Sequence, residues 1–175
     1  MSPQGRGDDV VQLRPLGLDD ADVLTSWAAD PDFCREADWS TGLAAEEHRA
    51  FWRRTITAPP ADLIRLGVTV EDGLVGYVDL YGTDPDRREL GVLIGERSRW
   101  GAGLGGRAAR CALDVAFAEL GLAEVWAEAL DANQRSVRLL RRIGMRETGR
   151  GEAGVFRSEP SFYRRFSLRN PTPRP

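Results

Sequence analysis

Apolar residues fall at every second position in some stretches of this chain and at every third or fourth in others, and the two periods divide it into elements. In VVQLRPL, residues 10 to 16, Val11 and Leu13 alternate with polar neighbours, as in a half-buried strand. LDDADVLTSWAAD then sets Leu24 and Trp27 three apart behind Asp19 and Asp20, either of which can cap a helix. PDFCREADWSTG, residues 31 to 42, is aromatic without a period and reads as an irregular connector. A second helix, AAEEHRAFWRRTI, ends before Pro59 and Pro60.

From residue 62 the period shortens. DLIRLGVTV and LVGYVDLYG read as strands joined by a turn at Glu71, Asp72 and Gly73, and TDPDR turns the chain into a third strand, RELGVLIG. A helix over about 104–120 carries an apolar face of Leu104, Ala108, Cys111, Ala112, Val115 and Leu120 and stops at Gly121. AEVWAEALD alternates Val125, Ala127 and Ala129 as a strand, and NQRSVRLLRRIG is a short helix between an N-cap at Asn133 and a stop at Gly144. MRETGR and SFYRRFSL close the chain as strands. The order β-α-α-β-β-β-α-β-α-β-β sets an antiparallel meander beside one β-α-β unit. That predicts an α+β (mixed α/β) fold, a central and mostly antiparallel sheet of about seven strands with flanking helices, and not a doubly wound sheet. One domain is expected over residues 10–168, with 1–9 and 169–175 as flexible tails.

Composition narrows the chemistry. The 175 residues suffice for a single two-layer core, and a formal charge of −3 gives no electrostatic reason to expect nucleic acid or an anionic membrane as a partner. All 24 basic side chains are Arg, so lysine catalysis and a Walker-type phosphate lysine are excluded. Cys34 and Cys111 form no C-x-x-C pair, and Cys111 is expected in the core. The one histidine, His48, lies in a polar run that predicts a solvated helix face, and it cannot assemble a zinc site or a Ser-His-Asp triad, so no metal is expected. No apolar run reaches membrane-spanning length and no basic leader precedes an apolar core, which predicts a cytoplasmic chain.

Between the third meander strand and the next helix lies RWGAGLGGRAAR, residues 99 to 110, with four glycines in six positions. Gly101, Gly103 and Gly106 spell the dinucleotide fingerprint G-x-G-x-x-G. The acidic residue that fingerprint prefers is available in Glu128 or Asp131, but six residues separate Ile94 from Gly101, so the glycines do not make the tight strand-to-helix turn. What survives is general: side-chain-free backbone at a helix start lets amide N–H groups and the helix dipole face an anion such as a pyrophosphate. The alternative is that the glycines only allow close helix–sheet packing.

WGAGLG, Trp100 to Gly105, resembles the cofactor loop of the GCN5-related N-acetyltransferases, whose pattern is Gln/Arg-x-x-Gly-x-Gly/Ala. Trp replaces the usual Gln/Arg here, which is similar to the branch of ribosomal-protein N-terminal and spermidine-type acetyltransferases. The stretch 73–105 is close to that branch, and DANQRSVRLLRRIGM, residues 131 to 145, resembles the second motif, Asn-x-x-Ser followed by Gly-Phe/Met. The resemblance covers residues 10 to 168 in order. It implies that the fourth and fifth strands splay apart to admit acetyl-CoA as cosubstrate. Backbone amides of Trp100, Gly101, Ala102, Gly103, Leu104, Gly105 and Gly106 would hold the pyrophosphate, and the backbone of Leu93 and Ile94 would pair with the pantetheine arm and polarise the thioester carbonyl. Asn133 would bind pantetheine, alongside a role as N-cap.

The activity so implied is direct transfer of an acetyl group to a primary amine: a protein N-terminus, a polyamine or a small-molecule or antibiotic amine. Glu89 would be the base, or else a solvated edge residue beside Arg87 and Arg88. Asp79, on one strand face with Tyr77 and Tyr81, is a second candidate for base or amine anchor. Many relatives place a general-acid Tyr seven residues after the motif Asn, where this chain has Leu140. Ser136 then becomes the candidate donor to the leaving thiolate, its rival role being a hydroxyl that bonds only backbone. Trp27, Phe33, Trp39, Phe51 and Trp52 would surround the acceptor or simply pack, and Asp30, Asp32, Glu36 and Asp38 would make that region acidic and favourable to a cationic amine. A homodimer is expected by analogy alone. The missing Tyr keeps a reading from another class open, an acyl-CoA-binding module that catalyses weakly or not at all.

Overall fold

A computed structural model describes residues 10–172. Its seven strands form one sheet in the order β1-β2-β3-β4-β5-β7-β6. They are β1 (Val11–Pro15), β2 (Leu63–Val70), β3 (Gly73–Tyr81), β4 (Arg87–Ile94), β5 (Glu124–Leu130), β6 (Arg146–Phe156) and β7 (Glu159–Arg169). The helices are α1 (Asp20–Trp27), α2 (Pro31–Ala37), α3 (Ala45–Thr57), α4 (Leu104–Asp114) and α5 (Gln134–Arg142). β4 and β5 pair in parallel and the other neighbours antiparallel, so the mixed α/β expectation holds.

Strand alternation sends neighbouring side chains to opposite faces, and each face carries its own core. Val78, Leu80, Leu90, Val125 and Phe166 pack with Ala108, Ala112 and Leu113 of α4 and Val137 and Leu140 of α5. Ala108, Ala109 and Ala112 are completely buried, and side chains this small let α4 lie close on the sheet. On the other face, Tyr77 packs with Leu24, Trp27, Phe33 and Trp52 from α1, α2 and α3. Each large apolar side chain so buried is worth ~1.5–3 kcal/mol.

Several expectations change. Residues 31–37 form α2 instead of an irregular connector: Asp30 caps it by accepting from the N–H groups of Asp32 (3.0 Å) and Phe33 (3.2 Å), and Pro31 opens the first turn. The helix read over 104–120 is α-helical to Asp114 and then widens into a π turn at Val115–Glu119. β6 and β7 are longer than read and meet at a two-residue turn, Arg157–Ser158, both at positive φ. Order continues past 168: Arg169 is in β7, and Asn170 donates to the carbonyls of Ala123 (2.8 Å) and Leu122 (3.0 Å). The other expected tail positions, 1–9 and 173–175, lie outside the described residues. His48 is buried, stacked 6.3 Å from Trp39, because α3 turns that side of its polar run onto the aromatic cluster. Cys111 is half-buried and not fully in the core. No helix among the described residues is long and apolar enough to cross a membrane.

The sheet parts in its middle. β4 pairs with β5 only at Arg87, Arg88 and Glu89, opposite Glu124, Val125 and Trp126. Beyond that point β4 stays on β3 to Ile94 and β5 stays on β7 to Leu130, which leaves a gap between them.

Candidate functional site

Glu89 is the last β4 residue paired across to β5, so its half-buried carboxylate stands where the two strands part. Strand alternation gives Glu89 the same face as Gly91 and Leu93, the face of α1–α3. Burial pushes its carboxyl up from the usual range, the charge of Glu128 adds to this, and Arg165 opposes it. Glu128 itself accepts from Arg165 Nε at 2.5 Å. Tyr163 on β7 belongs to the same group: its hydroxyl is pushed up by burial and by Asp38, Glu128 and Glu89.

The gap exposes alternate backbone groups of β4. Gly95 donates to Val75 at 2.8 Å and Glu124 donates to Asp86 at 3.0 Å, which fixes the alternation. Odd-numbered β4 residues turn their N–H and C=O to β3, and even-numbered ones turn theirs to β5. Leu93 is therefore engaged with β3. The free edge in the gap is carried by Val92 and Ile94, one residue to either side of Leu93. The Ile94 carbonyl accepts from the Trp100 indole at 2.8 Å.

At the end of the gap the glycine loop divides its labour. Trp100 N–H donates back to Arg97, closing a 3₁₀ turn at Arg97–Arg99. Gly101 and Gly103 have φ of 81° and 80°, which a side chain would strain. The first α4 bond of this turn runs from Arg107 to the Gly103 carbonyl, so the N–H groups of residues 101–106 have no backbone acceptor among the described residues. A Cβ at Gly105 would stand 2.9 Å from Leu139 of α5, whereas one at Gly106 would meet nothing within 4 Å. Gly105 thus serves helix packing, and Gly106 opens to the outside. A row of unpaired donors on a positive helix end, with no side chain in front, suits a pyrophosphate-bearing ligand.

The remaining candidates divide between this gap and its aromatic wall. Asn133 caps α5, its side chain accepting from Ser136 N–H at 3.2 Å, which leaves the Asn133 amide nitrogen to donate elsewhere. Ser136 is half-buried in the first turn of α5, and Leu140 is buried in the core. Asp79 is held bidentately by Arg65, both bonds 2.7 Å, and so is neutralised. Tyr77 is buried, its hydroxyl pushed up to about 12 chiefly by burial, and the Trp39 indole donates to it. Arg65 lies 4.3 Å from the Tyr77 ring. Trp39 packs against Phe33 at 5.0 Å and Trp52 at 5.2 Å, whereas Phe51 stays exposed.

The acidic region read over residues 30–38 is largely spent on arginines. Asp30 and Asp32 pair with Arg97, and Glu36 pairs with Arg135 and Arg157. Val92 and Tyr163 were not singled out by their sequence, and Glu128 was weighed only as the acidic residue of a dinucleotide site, whereas it lies on β5 two residues past Trp126, the partner of Glu89.

A family model described as an acetyltransferase (GNAT) domain matches residues 11–146. The chain is 27% identical over 146 residues to an uncharacterised protein of Methanocaldococcus jannaschii, a match of 82% of this chain and 30% of that protein. It therefore spans less than a third of the curated relative it matches. The structure of spermidine N-acetyltransferase from Vibrio cholerae, in complex with CoA and spermine, superposes with a TM-score of 0.77 at 18% identity, covering 91% of this chain and 95% of that one. Ribosomal-protein-S5-alanine acetyltransferase from Vibrio fischeri gives a TM-score of 0.77 at 16% identity, covering 94% and 96%. At these identities the likeness is one of fold.

Proposed function

The chain belongs to the GNAT acetyltransferase family, and we propose that it is an acetyl-CoA-dependent N-acetyltransferase acting on a primary amine by direct transfer in a ternary complex. The observation that carries this reading is Glu89, a half-buried carboxylate at the vertex of a gap whose edge and far end offer free backbone donors. The residues fit the cosubstrate. The amides of residues 101–106 suit its pyrophosphate, the open space before Gly106 admits it, and the β4 edge at Val92 and Ile94 suits the amide-bearing pantetheine arm. Acetyl-CoA supplies an acyl group activated as a thioester.

The chain's own residues supply the rest. An N–H on the β4 edge polarises a carbonyl oxygen placed in the gap. An amine is mostly protonated near neutral pH, and Glu89, or a water it holds, takes that proton before attack. The raised carboxyl of Glu89 serves this, since it makes the carboxylate a stronger base than an exposed one. Asp79, bonded twice to Arg65, orders the aromatic wall instead of acting as base. With Leu140 in the core, the departing thiolate takes its proton from Ser136 or from water.

Thiol release from acetyl-CoA, followed with a panel of primary amines, tests the reading. Amine-dependent release is expected. CoA binding without release across a broad panel would leave the acyl-CoA-binding module as the function.

A further inference from the structure

Alternate residues of β5 share a face, so its stretch EVWAE presents Glu124, Trp126 and Glu128 together, a tryptophan between two glutamates. Trp126 pairs with Glu89, which sets both glutamates diagonally across from the proposed base. Each has an arginine of its own. Glu124 lies 2.9 Å from Arg87 Nε, and Glu128 lies 2.5 Å from Arg165 Nε. The Arg87 guanidinium also stands 5.2 Å from the centre of the Trp126 ring, so it has a second seat on β5.

Arg87 could have gone elsewhere. It precedes Glu89 by two residues on the same face of β4, roughly 7 Å along the strand and within reach of an arginine side chain. What such a guanidinium does to a carboxylate is visible on β3: Asp79, beside Gly91, is bonded twice by Arg65 and is spent. Glu89 makes no ion pair among the described residues. The titratable groups that face it besides these are Tyr81, its partner on β3, which turns to Asp62, and Tyr163 on β7, on which Asp38 acts. The positive groups around Glu89 are Arg65, Arg87 and Arg165, and each is held by a different carboxylate.

We propose that Glu124 is a positioning residue that holds Arg87 against Trp126 and off Glu89, so that the base stays free of an ion pair. Glu128 does the same for Arg165, but its own charge also acts on Glu89, so Glu124 gives the cleaner test. Glu124 lies 4.0 Å from Arg169 as well, yet that guanidinium is 89% exposed and two strands away from β4. The proposal rests on the reading of Glu89 as base.

The parent chain, Glu124→Gln, Arg87→Gln and the double variant are compared by two measurements. Carbon-13 NMR follows the titration of the Glu89 carboxyl, assigned by its loss in Glu89→Gln. The second is kcat against pH, with acetyl-CoA and a primary amine both saturating. In Glu124→Gln the Glu89 midpoint is expected to fall by about one pH unit as Arg87 pairs with it, and the acidic limb of kcat should fall with it. The double variant is expected to return both to the parent's values, and Arg87→Gln alone to leave kcat near neutral pH unchanged. An unmoved midpoint in Glu124→Gln would overturn the proposal. A fall that persists in the double variant would assign the effect to the charge of Glu124 itself and overturn the role of Arg87. A midpoint that falls and is restored, with a kcat profile that does not follow it, would overturn Glu89 as the base and the positioning role with it.

Discussion

At Glu89 two demands meet. As the proposed base its carboxylate must be ionised to accept a proton, yet burial and Glu128 raise its pKa, so folding shifts it toward the protonated form. The sign of the linkage follows: stability from this group is fully present below its ordinary pKa and is lost as pH rises through the folded value. Activity runs the other way, falling as pH drops through that same value. Glu89→Gln is therefore expected to lower kcat by roughly 10²-fold or more. It should leave acetyl-CoA affinity nearly intact and keep the melting temperature at pH 8 at or above that of the parent. A variant with parental kcat across the pH range would remove Glu89 from the mechanism. The glycines give a second contrast on the same scale. Gly106→Ala adds a methyl group to open space at a helix start, so stability should rise, by up to ~1 kcal/mol, while CoA binds at least several-fold more weakly. Gly105→Ala drives a methyl into Leu139, so it should lower the melting temperature. Calorimetry and CoA titration on the pair separate ligand approach from packing, and equal CoA affinity in Gly106→Ala would deny the loop its proposed role.

Elements whose causes are local are legible in the sequence. The β2–β3 hairpin is one: Glu71 and Asp72 take φ of 49° and 64°, and Val70 pairs with Gly73. This two-residue turn prefers Asn-Gly. Glu71→Asn with Asp72→Gly is expected to add ~1 kcal/mol by relieving left-handed strain. For a chain of this size that raises the melting temperature by ~2–4 °C, far from the site and with activity unchanged. A lower melting temperature would mean that the acidic pair makes contacts worth more than its strain. α2 shows the opposite case. Its start is marked locally by Asp30-Pro31, a capping residue followed by proline at the first helical position, and that signal was there to use. Its end is not, because Asp38 takes the left-handed conformation (φ 56°) where a glycine would have marked the stop. Its partners are also remote in sequence, Arg97 lying 67 residues from Asp30 and Arg135 lying 99 from Glu36. Apolar periodicity carries no information about such ion pairs. The region read as an acidic surface is for that reason mostly a set of braces, while the glycine loop, whose chemistry is local backbone, was placed correctly between β4 and α4.

Across the whole molecule, one sheet is built from two halves, β1–β4 and β5–β7, joined by three residue pairs where β4 meets β5. On one face α4 packs on β1, β3 and β4 while α5 packs on β5 and β6, and the two helices touch, which ties the halves together behind the gap. A ligand lying along β4 would complete the ladder where the strands part, and the alternation of β4 says which amides change. Gly91 and Leu93 already face β3 and should exchange slowly with or without ligand, whereas Val92 and Ile94 face the gap and should exchange quickly in the free protein. Saturating CoA is expected to slow exchange at Val92 and Ile94 and at residues 101–106, with little change at Gly91 and Leu93. At a hundred times Kd, binding contributes ~2.7 kcal/mol, or a rise of about 5–10 °C in melting temperature. Protection that fell equally on odd and even residues of β4 would indicate general tightening of the sheet and would place the pantetheine arm somewhere other than this edge. Protection confined to residues 101–106 would keep the pyrophosphate site and remove Val92 and Ile94 from the cosubstrate's path.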